Sequence, residues 1–101
     1  MDNGLIVIND YCKSTVAEPQ FIRLLKVEGL ITIIEEDGTE YLLETEIQLL
    51  DRFTRLHYDL AIDVENLEVV QNLVTRIENL QNEVNALRRQ LKFLNPINDD
   101  F

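Results

Sequence analysis

The sequence is poor in the residues that stabilise or direct exported proteins. It holds one cysteine, Cys12, so no internal disulfide can form, and its first residues lack the basic flank and long apolar core of a secretion signal. Its apolar runs, such as residues 5–8, are far shorter than the ~20 residues that span a bilayer. We therefore expect a soluble cytoplasmic protein that does not associate with a membrane.

The sequence also lacks the patterns of catalytic and metal sites. His57 is its only histidine, and it contains no Ser-His-Asp ordering, CxxC, HExxH or Gly-rich phosphate loop. The acids at positions 35–37 lack the spaced ligands and the bidentate Glu of a Ca²⁺ loop, so we interpret them as a solvated turn. We expect no enzymatic activity, no catalytic residue, no cofactor and no bound metal. Cys12 is interpreted as a small buried hydrophobe.

Positive charge is scarce and unevenly distributed. The 101 residues include 9 Lys and Arg against 19 Asp and Glu, which gives a net charge of −10. Residues 1–69 hold 15 acids and 5 bases, whereas residues 70–101 hold 4 of each. Because duplex binding depends on basic side chains that displace counterions from phosphates, this charge argues against nucleic acid as a partner. A basic protein partner is favoured instead.

Two short helices joined by a tight turn are predicted near the N-terminus. After an extended run at residues 5–8, Asn9 and Asp10 offer an N-cap for the first helix. The second helix begins with Pro19, which needs no N–H partner in a first turn, and ends before Gly29, a typical residue after a helix C-terminus. This arrangement is typical of a helix-turn-helix.

A hairpin and a third helix are predicted to follow. Asp37-Gly38 separates two β-prone runs, residues 31–36 and 39–43, and suits the positive φ angles of a type I′ turn. We interpret this hairpin as the wing of a winged helix-turn-helix. Thr45 and Gln48 have the spacing of a capping box, so a third helix is expected over about residues 46–60.

A long amphipathic helix is predicted after Asp63, its expected N-cap. Its apolar residues recur in alternating steps of three and four, mostly β-branched at heptad position a and Leu at position d. The predicted seam consists of Val70, Leu73, Ile77, Leu80, Val84, Leu87, Leu91 and Leu94. We expect this narrow stripe to form a homodimer, parallel or antiparallel; the alternative is an ordinary amphipathic helix that packs on its own domain.

These patterns divide the chain into three segments. Residues 1–62 form the predicted winged helix-turn-helix domain, residues 63–95 the C-terminal coiled-coil helix, and residues 96–101 a tail. The predicted fold class is therefore mainly α with a small β-hairpin wing. A domain of this length buries roughly 60–65% of its unfolded surface, so self-association would add a second source of stability.

The chain resembles the MerR-type winged-helix superfamily in its short helix-turn-helix ending at Gly29-Leu30-Ile31, its hairpin with Tyr41 and its leucine-seamed C-terminal helix. It departs from the DNA-reading members in two places. Residues 25–28 replace their Arg-Tyr-Tyr sequence, and the acidic residues 35–40 replace their basic wing. These departures remove the phosphate contacts that position such domains on a duplex.

The chain is more specifically similar to the chaperone-modulator family CbpM, a branch of that superfamily. The similar segments occur in order over nearly the whole chain, at residues 8–12, 29–31, 55–63, 77–80 and 87–91. The resemblance implies a bacterial cytoplasmic protein that binds the J-domain of a DnaJ-like co-chaperone, CbpA. Members inhibit the co-chaperone by covering the J-domain surface that would engage DnaK, and can antagonise its DNA binding.

The third helix and the residues after it carry the predicted partner contacts. J-domains present a basic helix, so a competitor should be acidic, with carboxylates that raise the association rate and select the partner. Residues 51, 55 and 59 share one helical face. The predicted contact set is Asp51, Arg55, Leu56, His57, Tyr58, Asp59, Ile62 and Asp63.

Two other functions stay open from the sequence. The first is a dimeric transcription regulator of the MerR type that retains sequence-specific DNA binding. The second is an oligomerising adaptor for an unrelated basic partner.

Overall fold

The computed structural model describes residues 4–94. The elements in chain order are β1 (Leu5–Val7), α1 (Ile8–Ser14), α2 (Pro19–Val27), β2 (Ile33–Glu36), β3 (Thr39–Leu43), α3 (Ile47–Leu60) and α4 (Leu67–Leu94). One 3₁₀ turn precedes α3 and another precedes α4. The predicted fold class, mainly helical with a β-hairpin wing and a long C-terminal helix, is confirmed.

The first helix starts earlier than predicted. Helix α1 begins at Ile8, directly after β1, so Asn9 and Asp10 lie in its first turn and the predicted N-cap is wrong. The following turn is held by Thr15, whose hydroxyl donates to the Tyr11 carbonyl at 3.0 Å and accepts from the Ala17 N–H at 3.2 Å. These two bonds end α1 and direct the chain into α2.

Helix α2 has the predicted boundaries. Pro19 occupies its first turn, and Gly29, with φ of +77°, follows its C-cap. The Gly29 N–H donates to the Lys26 carbonyl and the Leu30 N–H donates to the Leu25 carbonyl, both at 2.9 Å. This pair of bonds is the Schellman motif, which places glycine in the left-handed region and satisfies the last helical carbonyls.

The wing belongs to a three-stranded antiparallel sheet with the order β1-β3-β2. Asp37 and Gly38 have φ of +53° and +80°, as the predicted type I′ hairpin requires. Strand β1 pairs with the other edge of β3, with Val7 opposite Tyr41. The sequence predicted an extended run at β1 but did not predict that it pairs with β3.

Helix α3 begins without the predicted capping box. A 3₁₀ turn over Glu44–Glu46 leads into it, and no side chain caps its first turn. Glu46 instead accepts hydrogen bonds from the backbone N–H of Thr32 at 2.8 Å and from its hydroxyl at 3.1 Å. Ala61, with φ of +59°, ends the helix.

The chain divides into two compact units at Val69 and Val70. The first unit, called the body below, surrounds one hydrophobic core. The core residues come from α1, α2, β3, α3, the start of α4 and two connecting segments: Ile8, Tyr11, Ala17, Phe21, Ile22, Leu25, Ile31, Leu42, Leu50, Phe53 and Leu67.

The second unit continues α4 through Leu94 without interruption. Asp63 precedes the 3₁₀ turn Val64–Asn66 and makes no side-chain bond to it, so its predicted capping bond is absent. No helix among residues 4–94 is long and apolar enough to cross a membrane. The predicted tail, residues 96–101, and Asn95 before it lie outside the described residues.

Candidate partner-binding surface

The predicted contact set on α3 divides into residues that serve the body itself and residues that face solvent. Asp51 accepts a hydrogen bond from the Tyr11 hydroxyl at 2.7 Å. Leu56, Tyr58 and Ile62 are partly buried and pack against the core. Only part of the set is therefore available to a partner, and its role in partner binding stays a prediction.

The bond between Tyr11 and Asp51 ties α1 to α3. Thr54 donates its hydroxyl proton to the Leu50 carbonyl at 2.8 Å, and its hydroxyl oxygen lies 3.2 Å from that of Tyr11. The carboxylate of Asp51 can only accept, and the shorter distance assigns the single Tyr11 proton to it. Burial, together with the nearby Asp51 carboxylate, raises the pKa of Tyr11 to about 12.

His57 lies in an aromatic cluster with Phe21 and Tyr58. Its ring stacks on Phe21 with 4.7 Å between centroids and meets Tyr58 edge-on at 4.8 Å. Its Nδ1 lies 2.7 Å from the Ile62 carbonyl oxygen, which can only accept, so Nδ1 carries the proton and donates it. The Tyr58 hydroxyl accepts from the Glu18 N–H at 3.1 Å. This cluster joins the end of α3 to the start of α2.

The remaining three residues of the set, Arg55, Asp59 and Asp63, have exposed side chains. They are the members of the set that a partner can reach without displacing a core contact. Asp59 and Asp63 carry the negative charge expected of a surface that selects a basic partner. Sequence spacing alone could not separate them from Asp51, whose bond partner is 40 residues away.

The wing presents an acidic surface to solvent. Glu35, Glu36 and Asp37, here called the wing acids, are all exposed. Over residues 28–51 the sequence holds eight acids and no Lys or Arg. A duplex approaching this side would meet carboxylates where a phosphate contact requires donors.

One cation of α2 is already paired with the wing. The Arg23 guanidinium lies 3.2 Å from the Glu40 carboxylate. In the hairpin, Glu40 is directly opposite Glu35, and opposed residues of an antiparallel pair point to the same sheet face. Like charges in that position repel each other, so Arg23 offsets a repulsion within the wing.

The outward side of α2 exposes two aliphatic residues, Leu24 and Val27. Leu24 is 45% exposed and Val27 is 77% exposed, whereas Phe21, Ile22 and Leu25 are buried. A helical projection could have separated them, because at 100° per residue positions 24 and 27 lie away from the mean direction of the three buried positions.

The predicted seam on α4 is accessible to solvent in the described chain. From Leu73 to Leu91 its six residues are between 42% and 58% exposed, and Leu94 is 78% exposed. Ile77, Leu80 and Val84 line one side of a shallow groove that Gln81, Asn85 and Arg88 complete. An apolar stripe of this length is typical of a surface that another chain covers.

The described residues offer no cluster suited to a metal ion. Between residues 4 and 94, no three His, Cys, Asp or Glu side chains converge in the way a metal site requires. Cys12 is half-buried, and burial raises the pKa of its thiol.

Comparison with known proteins identifies one family. A family model described as MerR HTH family regulatory protein matches residues 6–89, which is most of the chain. No curated protein and no solved structure matches the chain significantly.

Proposed function

Because this chain belongs to the MerR helix-turn-helix family of regulatory proteins, we propose that it is a non-enzymatic regulator whose body binds a basic protein partner. The proposed partner is the J-domain of a DnaJ-like co-chaperone of the CbpA type. By covering the J-domain surface that engages DnaK, the chain would inhibit the co-chaperone. The CbpM-like segments and the acidic body support this assignment over DNA binding.

The observation that carries the proposal is the pairing of Arg23 with Glu40. A DNA-reading domain uses cations of its second helix and wing to hold phosphates. Here one of the two cations of α2 is paired with an acidic wing, and Lys26 is the other. The same carboxylates complement a basic helix and would raise its association rate.

The C-terminal helix would supply the second part of the assembly. We propose that a second copy of the chain covers the exposed seam, so the regulator acts as a homodimer. The supporting observations are the unbroken helix through Leu94 and the heptad spacing of its exposed apolar residues.

An ATPase assay tests the proposed inhibition. Purified DnaK is stimulated by the J-domain protein, and the intact chain is added in increasing amounts. We expect the stimulated rate to fall to the rate of DnaK alone and to recover when excess J-domain is added. A stimulated rate that stays unchanged at saturating chain would contradict the proposal.

The alternative is a dimeric MerR-type transcription regulator, and membership in the family fits it equally well. Gel-shift assays against the promoter of the chain's own operon separate the two functions. Sequence-specific retention of that promoter, together with no effect in the ATPase assay, would favour the regulator.

A further inference from the structure

The outward side of α2 exposes apolar side chains that do not belong to the hydrophobic core of the body. Leu24 and Val27, here called the α2 pair, are three residues apart, so they are neighbours on one helical face. Their side chains are 45% and 77% exposed. The buried side of the same nine-residue helix consists of Phe21, Ile22 and Leu25, which pack in the core.

Charged groups of both signs border the α2 pair, and the exposed Lys26 lies directly before Val27. Glu28 follows Val27 directly and is exposed. Arg23, one turn before Val27, reaches Glu40 in the wing, and Glu40 lies opposite Glu35. The ion pair therefore places the Glu40 carboxylate beside Arg23, on the side of α2 that carries Val27.

We propose that the α2 pair is the apolar centre of a docking site for a Lys- and Arg-rich amphipathic helix of a protein partner. An apolar centre with a charged border is the usual anatomy of a protein interface. The body holds 15 acids against 5 bases in residues 1–69, and this excess favours a basic occupant. Side chains three residues apart on a helix form the ridge against which a second helix packs. This inference rests on the proposed function and places the main contact on α2, not on α3.

A J-domain titration tests this placement. Intact wild-type chain and the double variant Leu24→Ala/Val27→Ala are titrated with the isolated J-domain by calorimetry at low salt. Alanine keeps the helix propensity of α2, and circular dichroism verifies that each variant is folded. Leu60→Ala is the matched control, because Leu60 is 65% exposed at the end of α3, beside the α3 contact set.

The expected result is at least tenfold weaker binding by the double variant, with Leu60→Ala within threefold of wild type. Glu35→Gln/Glu36→Gln should bind more weakly than wild type at low salt and lose less affinity when salt is added.

Three results would overturn the inference. Unchanged binding by the double variant, while wild type binds, would remove the α2 site and leave the proposed function intact. Loss of binding by Leu60→Ala alone would place the contact on α3. A wild-type chain that binds no J-domain, or binds a DNA duplex instead, would overturn the inference and the proposed function together.

Discussion

The body and the second unit differ in how far their apolar side chains are buried. The body, up to Val69, encloses its core among its own elements, whereas the seam residues of α4 from Leu73 to Leu94 are exposed. Charge is divided in a similar way. Residues 1–69 hold ten more acids than bases, whereas acids and bases are equal in number in residues 70–101. The difference fits the two roles proposed above, in which the body selects a basic partner by charge and the helix associates with a second copy of the chain.

The largest effect is expected from Leu25→Ala, because Leu25 is fully buried in the body. The cavity should lower the free energy of unfolding by about 2–5 kcal/mol. Urea denaturation followed by tyrosine fluorescence measures it, since all three tyrosines precede residue 70. Asn82→Ala, at an exposed position of α4 outside the seam, is the control and should change this signal by under about 1 kcal/mol. Equal effects of the two variants would break the comparison.

The second largest effect is expected when charged residues are placed in the seam, because they should weaken the dimer. Leu80→Lys/Leu87→Lys places two cations where a second helix would pack, and should raise the dimer dissociation constant at least thirtyfold, about 2 kcal/mol. Sedimentation velocity at micromolar concentration measures the association state. Asn82→Lys, at an outward heptad position between them, should remain dimeric. A wild-type chain that sediments as a monomer would contradict the proposal that the seam forms a dimer.

Alkaline pH should destabilise the body through Tyr11. Its folded pKa is about 12 against an ordinary value of 10, so the stabilising contribution is complete below pH 10 and is lost as the pH rises toward 12. The loss should reach about 2 kcal/mol in wild type relative to Tyr11→Phe, whose own cost at neutral pH is about 1 kcal/mol. Urea midpoints at stepped pH measure both. Parallel pH curves for the two proteins would contradict this role.

A smaller effect is expected at the end of α2. Gly29→Ala forces alanine into a left-handed conformation and should cost about 1 kcal/mol of body stability, although its Cβ would meet no atom within 4 Å. Glu28→Ala, at the neighbouring exposed position, should cost less than half as much. Equal costs would show that the glycine conformation contributes nothing. Helix α4 has no glycine and offers no such position.

Local signals predicted much of the fold. Proline at the start of α2, glycine after its end, the Asp37-Gly38 turn and the helical periodicity of α4 each act within a few residues, and the elements that they predict are confirmed. The coiled-coil seam of α4 stays a prediction. The capping box at Thr45 failed because the chain enters α3 through a 3₁₀ turn while Glu46 bonds Thr32. The contact between Glu46 and Thr32 joins residues 14 positions apart in the sequence, and a pattern of neighbouring residues cannot predict it.

The candidate surface was less predictable for the same reason. Whether Asp51 faces a partner or Tyr11 depends on the packing of α1 against α3. Whether Arg23 is free depends on the path of the wing. By contrast, the acidic character of the body could be read from composition, and a helical projection could have indicated the exposure of Leu24 and Val27.

The central claim is that the acidic body binds a basic protein and not DNA. Fluorescence anisotropy of the labelled intact chain tests it most directly, with the J-domain and the promoter duplex of its own operon titrated separately at low and high salt. We predict saturable J-domain binding that weakens as salt rises, and no binding of the duplex. Sequence-specific binding of the duplex without binding of the J-domain would contradict the account.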